Sequence, residues 1–148
     1  MRMLELIAGA GETGLDPAGL RELNAEVGGL ERHLGVRYTR VTRTGVTAEI
    51  TVGPQHLQPV GLVNGGVFSA LAESTGSLAG LAAAGGDPVV GVSNSTDFIS
   101  SVRDGVIIAE ATPVHLGRRT QLWQVDMRHD ARLVARTTLR TMVLEQPA

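Results

Sequence analysis

The 148-residue chain contains no cysteine, which excludes disulfides, thiolate metal sites and a cysteine nucleophile. Aromatic residues are scarce: Tyr38, Phe68, Phe98 and Trp123 are the whole set, 3% of the sequence, too few and too scattered for a base-stacking platform. Excess charge of one sign is also missing. The net charge of −2 gives no electrostatic reason to bind nucleic acid or an anionic membrane. The N-terminal MRMLELIAGAGE is interrupted by Glu5 and lacks the apolar core of a signal peptide. The one long run of low charge, Val60 to Gly86, holds Glu73, many glycines and a hydroxyl-rich middle, which suits an enclosed helix better than a membrane span. A cytoplasmic, single-domain protein is the expectation.

What is present is a change of period along the chain. Asp16-Pro17 reads as a helix cap and first turn, followed by Leu20, Leu23, Val27 and Leu30 at helical spacing. Val46, Ala48, Ile50 and Val52 then alternate as one face of a strand, with Val36 to Val41 as its partner across the Arg43-Thr44-Gly45 turn. Pro54 and Pro59 bound a loop carrying His56 and Gln58. Gly65 to about Ala84 is one long helix, apolar or small nearly all round, and such a helix is enclosed. After Gly85-Gly86-Asp87-Pro88 the pattern is β throughout: Val89–Ile99, Val106–His115, Gln121–Arg128 and Leu133–Leu144. The fold class is therefore α+β, a curved antiparallel sheet wrapped around one long central helix. Residues 16–148 form the domain and residues 1–15 a flexible N-terminal arm.

Several motifs lead nowhere. Gly9-Ala10-Gly11-Glu12-Thr13-Gly14 matches G-x-G-x-x-G after the strand-like Met3–Ile7, but no parallel βαβ alternation follows, so a dinucleotide site is not expected. His33, His56, His115 and His129 show no metal-ligand spacing, so no metal is expected. Gly91-Val92-Ser93-Asn94-Ser95 lacks the second glycine of a serine-hydrolase elbow.

The informative segment lies between Glu49 and Asp87, where Glu73 is the one formally charged side chain. A carboxylate buried alone costs several kcal/mol unless it is hydrogen-bonded, paired or protonated. Around it stand Gln58, Asn64-Gly65-Gly66 and Ser77. The glycine pair opens the helix, where the first amides lack intrahelical partners and suit a carbonyl oxygen that becomes an oxyanion. Glu73 can act as nucleophile or base, and Ser77, one turn on, shares its face. Gly65 and Glu73 are eight residues apart, roughly 12 Å along a helix. Both must meet one carbonyl, so the spacing favours Gly65 from one subunit and Glu73 from another. A glycine pair is also an ordinary turn and a lone glutamate an ordinary surface residue; the absence of companion charge favours the site.

QPVGLVNGGVFSALAESTGSLAG and the later ATPVHLGRRTQLWQVDM resemble the signature blocks of hotdog-fold acyl-CoA thioesterases. The similarity is to the 1,4-dihydroxy-2-naphthoyl-CoA thioesterases above all, and to the related 4-hydroxybenzoyl-CoA and phenylacetate-pathway enzymes. The resemblance implies a hotdog fold and a homodimer with sites at its interface, often a dimer of dimers. It implies no cofactor beyond the coenzyme A carried by the substrate. Carried over by position, it makes Glu73 the catalytic carboxylate and Gly65 the carbonyl-polarising amide, with Gln58 binding the carbonyl or the water and Ser77 assisting. Gly66 and Phe98 fall at the substrate, and Arg118, Arg119 and Thr120 fall where the family contacts coenzyme A; two arginines suit phosphate independently. Two residues depart from the pattern. Asn64 replaces the usual His before the glycine pair, and Phe98 stands where the naphthoyl-CoA relatives carry a His. The competing readings are an acyl-CoA-binding module without catalysis and a hotdog enoyl-CoA hydratase or dehydratase.

Overall fold

A computed structural model describes residues 2–144. Three short helices precede the sheet: α1 (Arg2–Ala8), α2 (Pro17–Glu26) and α3 (Gly29–Leu34). The strand expected over Met3–Ile7 is a helix. Met3, Leu4 and Ile7 recur at helical spacing and face the core, with Ile7 fully buried and Met3 and Leu4 partly so. Helix α1 packs against the central helix, and the Gly9–Gly14 segment is the turn that follows it, with Gly11 and Gly14 at positive φ. The expectation of a loose arm is thus corrected: Ile7 and Ala10 belong to the core, and the Leu15 N–H donates to the Val41 carbonyl at 3.0 Å.

Asp16 caps α2 as its sequence implies, accepting from the Gly19 N–H at 2.7 Å. The chain then breaks at Gly28 and restarts as α3, which resets the helical phase. Leu23 and Val27 are buried, whereas Leu30, placed on the same stripe by the sequence, is 63% exposed.

The sheet comprises β1 (Arg37–Thr42), β2 (Gly45–Thr51), β3 (Val89–Phe98), β4 (Val106–Leu116), β5 (Thr120–His129) and β6 (Arg132–Val143). Their order is β1-β2-β4-β5-β6-β3, antiparallel at every pairing. Helix α4 (Gly65–Ala83) lies on one face and touches all six strands. Gln121, Trp123, Val125 and Met127 alternate toward it, all buried. Among the described residues no helix is long and apolar enough to cross a membrane.

Two glycines on one face of α4 let it sit this close. A Cβ at Gly76 would overlap the Leu139 side chain, and one at Gly80 would lie 2.7 Å from Gln121 Oε1. Gln121 uses that proximity: its Nε2 donates to the Gly80 carbonyl at 3.2 Å. Its Oε1 accepts from Trp123 Nε1 at 3.1 Å and Thr141 Oγ1 at 2.9 Å. The buried polar groups at the helix–sheet contact are therefore matched.

On the opposite face, Asp126 accepts a forked pair from Arg136, at 2.6 Å from Nε and 2.9 Å from Nη2. The hydrogen bond from Arg136 holds the Asp126 carboxyl below its ordinary range against the opposing effect of burial, and the charges of Arg136 and Arg128 add to it.

Two measurements follow from these contacts. Gly76→Ala should lower stability by about 1–2 kcal/mol in urea titration, because overpacking against Leu139 outweighs the roughly 0.8 kcal/mol gained in helix propensity. A depressed carboxyl stabilises the fold above its unfolded-state pKa and loses that contribution as pH falls through the folded value. Asp126→Asn should therefore lower Tm at pH 7 and converge with wild type as the pH drops below the folded value. The loss should be modest, because Arg136 is solvent-exposed.

Candidate active site

The loop before α4 is built to deliver Gln58 to the helix start. His56 is fully buried; its Nδ1 accepts from the Gly53 N–H at 2.9 Å, and its Nε2 lies 2.9 Å from the Leu34 carbonyl. The backbone donor at Gly53 requires an acceptor at Nδ1, so the ring is the Nε2–H tautomer, donating to Leu34. The His56 carbonyl in turn accepts from the Asn64 N–H at 2.8 Å, and the turn between them closes with Gln58 N–H to the Leu62 carbonyl at 2.7 Å. Gln58 Oε1 is occupied by the Val60 N–H at 2.6 Å, which leaves the amide nitrogen as its available donor end.

Asn64 is the N-cap of α4, and its Oδ1 accepts from the Gly66 N–H at 2.8 Å. The Val67 N–H is bonded to the Asn64 carbonyl at 2.9 Å. Of the two glycine amides the sequence offers, the one at Gly66 is therefore consumed, and Gly65 N–H stands without a partner among the described residues. Asn64, which stands in place of the usual His, acts here as an acceptor that caps a helix.

Phe98 packs against Gly65: a Cβ there would be 2.6 Å from the ring. Its ring centroid is 6.2 Å from that of Phe68. Gln58, Leu62, Gly65, Phe68, Phe98 and Ile99 are among the residues lining a cleft of about 300 Å³, with apolar walls and the Gly65 amide and Gln58 as polar points.

Glu73 is half-buried within the chain, which corrects the expectation of full enclosure. Its Oε2 accepts from Asn94 Nδ2 at 2.9 Å, and its Oε1 lies against Gly91, where a Cβ would overlap it. The alternation of β3 is broken between Gly91 and Ser93, where Val92 is an extra residue opposite β6. This bulge places Gly91 and Asn94, three residues apart, on the same face. Period-two reading puts them on opposite faces, which is why neither was found from the sequence. Ser77 makes no hydrogen bond to Glu73; it lines a separate cleft of about 220 Å³ with Met3, Tyr38, Ser74, Leu81 and Val89. Burial, with the nearby Glu31 carboxylate, pushes the Tyr38 hydroxyl well above its ordinary pKa.

Arg118 and Arg119 belong to the β4–β5 turn, and Thr120 opens β5. Arg118 lines a recess with Ala83, Ala84 and Asp87 at the C-terminal end of α4, and the Arg119 carbonyl accepts from the Val143 N–H at 2.8 Å. One chain thus brings Gln58, Gly65 and Phe98 together at the start of the helix. Glu73 and Ser77 stand two to three turns further on, and the basic turn lies at the far end.

A model of the thioesterase superfamily matches residues 60–135. The chain is 41% identical over 108 residues to the proofreading thioesterase EntH of Cronobacter turicensis, covering 72% of this chain and 79% of that protein. Among solved structures, thioesterase HI1161 of Haemophilus influenzae superposes with a TM-score of 0.80 at 32% identity, over 90% of this chain and 93% of that one. AziG of S. sahachiroi superposes with a TM-score of 0.79 at 38% identity, over 82% and 100% respectively.

The cap assignment carries its own test. Asn64→Ala should cost about 1 kcal/mol of stability by leaving the Gly66 N–H unpaired, and Asn64→Asp should restore it. Thermal unfolding of the two variants against wild type measures both effects.

Proposed function

We propose, for a chain that belongs to the thioesterase superfamily and is a thioester hydrolase, that the substrate is an acyl-coenzyme A ester cleaved between two copies of the chain. The observation that carries this reading is the separation of two incomplete half-sites along one uninterrupted helix. At one end is the Gly65 amide, without a partner among the described residues, beside an apolar cleft. Two turns further on is a carboxylate with one oxygen fixed by Asn94 and the other without a hydrogen bond among the described residues. Roughly 12 Å of helix separates their backbones, too far for one thioester carbonyl to meet both.

Strand β3 gives the means of joining them. It is the last strand in the sheet order, and Val92 (51% exposed), Phe98 (60%) and Ile99 (53%) present apolar surface along and just beyond it. A ten-residue edge strand with unpaired backbone groups invites pairing with another copy. In this reading an isologous pairing of β3 strands sets each Gly65 against the partner's Glu73, which by symmetry makes two sites per dimer.

In such a site the Gly65 N–H donates to the thioester carbonyl oxygen, strengthening as charge develops there, and the Gln58 amide nitrogen donates from the same side. Glu73 Oε1 then follows one of two courses. It attacks the carbonyl carbon, expelling the coenzyme A thiolate and leaving a mixed anhydride that water cleaves to the free acid. Alternatively it takes a proton from water, which attacks directly. Either course converts thioester and water to acid and thiol. The apolar cleft and Phe98 suit an aryl or aliphatic acyl group, and Arg118 and Arg119 supply positive charge for the nucleotide phosphates.

Glu73→Gln should reduce thiol release from acyl-CoA esters by about three orders of magnitude or more while leaving the assembly intact, as loss of a reacting group does. A screen of benzoyl, hydroxybenzoyl, dihydroxynaphthoyl, phenylacetyl and aliphatic esters, with size-exclusion chromatography of both proteins, measures this. Unchanged kcat on the best ester refutes the assignment of Glu73.

A further inference from the structure

We infer that Asn94 is a positioning residue for Glu73, and that Asn94, Thr96 and Thr137 form a directed hydrogen-bond chain that selects Oε1 as the reacting oxygen. The inference rests on the reading of Glu73 as the catalytic carboxylate.

Each bond in the chain has a defined direction. Asn94 Nδ2 donates both to Glu73 Oε2 at 2.9 Å and to the Ser69 carbonyl at 3.0 Å. Neither acceptor can donate, so the amide cannot be flipped without setting its own oxygen against two others. Asn94 Oδ1 accepts from the Thr96 hydroxyl at 2.8 Å. With its proton committed there, Thr96 Oγ1 must be the acceptor in its 2.7 Å contact with Thr137 Oγ1. Thr137 therefore donates, from a side chain that is fully buried on the neighbouring strand β6. The polarity runs from Thr137 through Thr96 and Asn94 to the carboxylate without a gap.

The backbone is shaped for this arrangement. The irregularity at Val92 brings Gly91 and Asn94 to the same face of β3, so one side of the carboxylate meets an amide donor and the other meets a residue with no side chain. Any Cβ at Gly91 would overlap Oε1. Oε2 is thus tied down by Asn94, while Oε1, packed against Gly91, has no hydrogen-bond partner among the described residues. Around the carboxylate, α4 contributes the Ser69 carbonyl, and β3 contributes Gly91 and Asn94. No ion pair to Glu73 is present among the described residues, so a neutral amide orients it where a cation would instead neutralise it. Holding a reacting group within a fraction of an ångström is worth up to about 100-fold in rate.

The test uses the full chain in its native assembly, with the CoA ester that wild type turns over fastest, and carries Glu73→Gln alongside. Asn94→Ala should lower kcat by about 10- to 100-fold with KM changed less than about threefold, because the lost interaction orients a group in the transition state. Thr96→Val should give a smaller loss in the same sense, and Thr96→Ser, which keeps the hydroxyl, should restore wild-type kcat. Asn94→Asp sets a carboxylate against Oε2, so the acidic limb of the kcat/KM profile should move to higher pH. The ¹³C titration midpoint of the Glu73 side-chain carboxyl should move with it. That midpoint is read without turnover, and Glu73→Gln assigns the signal. Wild-type kcat in Asn94→Ala and Thr96→Val, with the midpoint unmoved in Asn94→Asp while Glu73→Gln is inactive, overturns the inference. Full activity in Glu73→Gln overturns the catalytic reading itself, and the carboxyl titration still decides whether Asn94 holds Glu73.

Discussion

The structure depends on how closely α4 approaches the sheet. At Gly76 and Gly80 no side chain intervenes between the helix and the buried faces of β5 and β6, and Leu139 and Gln121 fill the space where a Cβ would otherwise stand. The helix backbone is thereby set at a depth where Gln121 can bond the Gly80 carbonyl. That depth also lets Glu73, on an adjacent turn, reach across to the edge strand and meet Asn94. A helix held further out would keep much of its apolar burial and lose this contact. Helix depth is thus the mechanical link between a packed core and an oriented carboxylate.

Much of this was legible in the residues. Alternation through Gln121, Trp123, Val125 and Met127 placed β5 and its buried face correctly, because an antiparallel strand with one wet side writes its register into the sequence. The long low-charge run from Gly65 likewise announced an enclosed helix. Failures came where a local event resets a period. Gly28 restarts the helix after α2, so Leu30 leaves the buried stripe. The extra residue at Val92 turns Gly91 and Asn94 to one face, and no alternation count anticipates a bulge. Met3–Ile7 was too short for its period to be decided by pattern, and packing against α4 decided it.

The candidate site divides along the same lines. Glu73 stood out because charge is absent around it, and Gly65 because glycine opens a helix; both signals are compositional and local. The consumption of the Gly66 amide by Asn64 and the covering of Gly65 by Phe98 are three-dimensional facts. They reduce two apparent donors to one and place an aromatic ring beside it. Asn64, at a position where the resemblance calls for a histidine, serves as a helix cap, so the difference bears first on the stability of the helix start.

The central claim is that each active site takes its amide from one chain and its carboxylate from another, and subunit mixing tests it most directly. Gly65→Pro removes the amide donor and suits the first position of a helix, its new Cβ displacing the exposed Phe98 ring of the same chain, and Glu73→Gln removes the carboxylate. Each variant alone should be inactive. Unfolded together in equal amounts and refolded, they should by this claim form mixed dimers in which one of the two sites has both groups intact, and thiol-release activity should return to about a quarter of wild type. Activity that stays at the level of the separate variants, although mixed dimers are demonstrated by mass, would contradict a shared site.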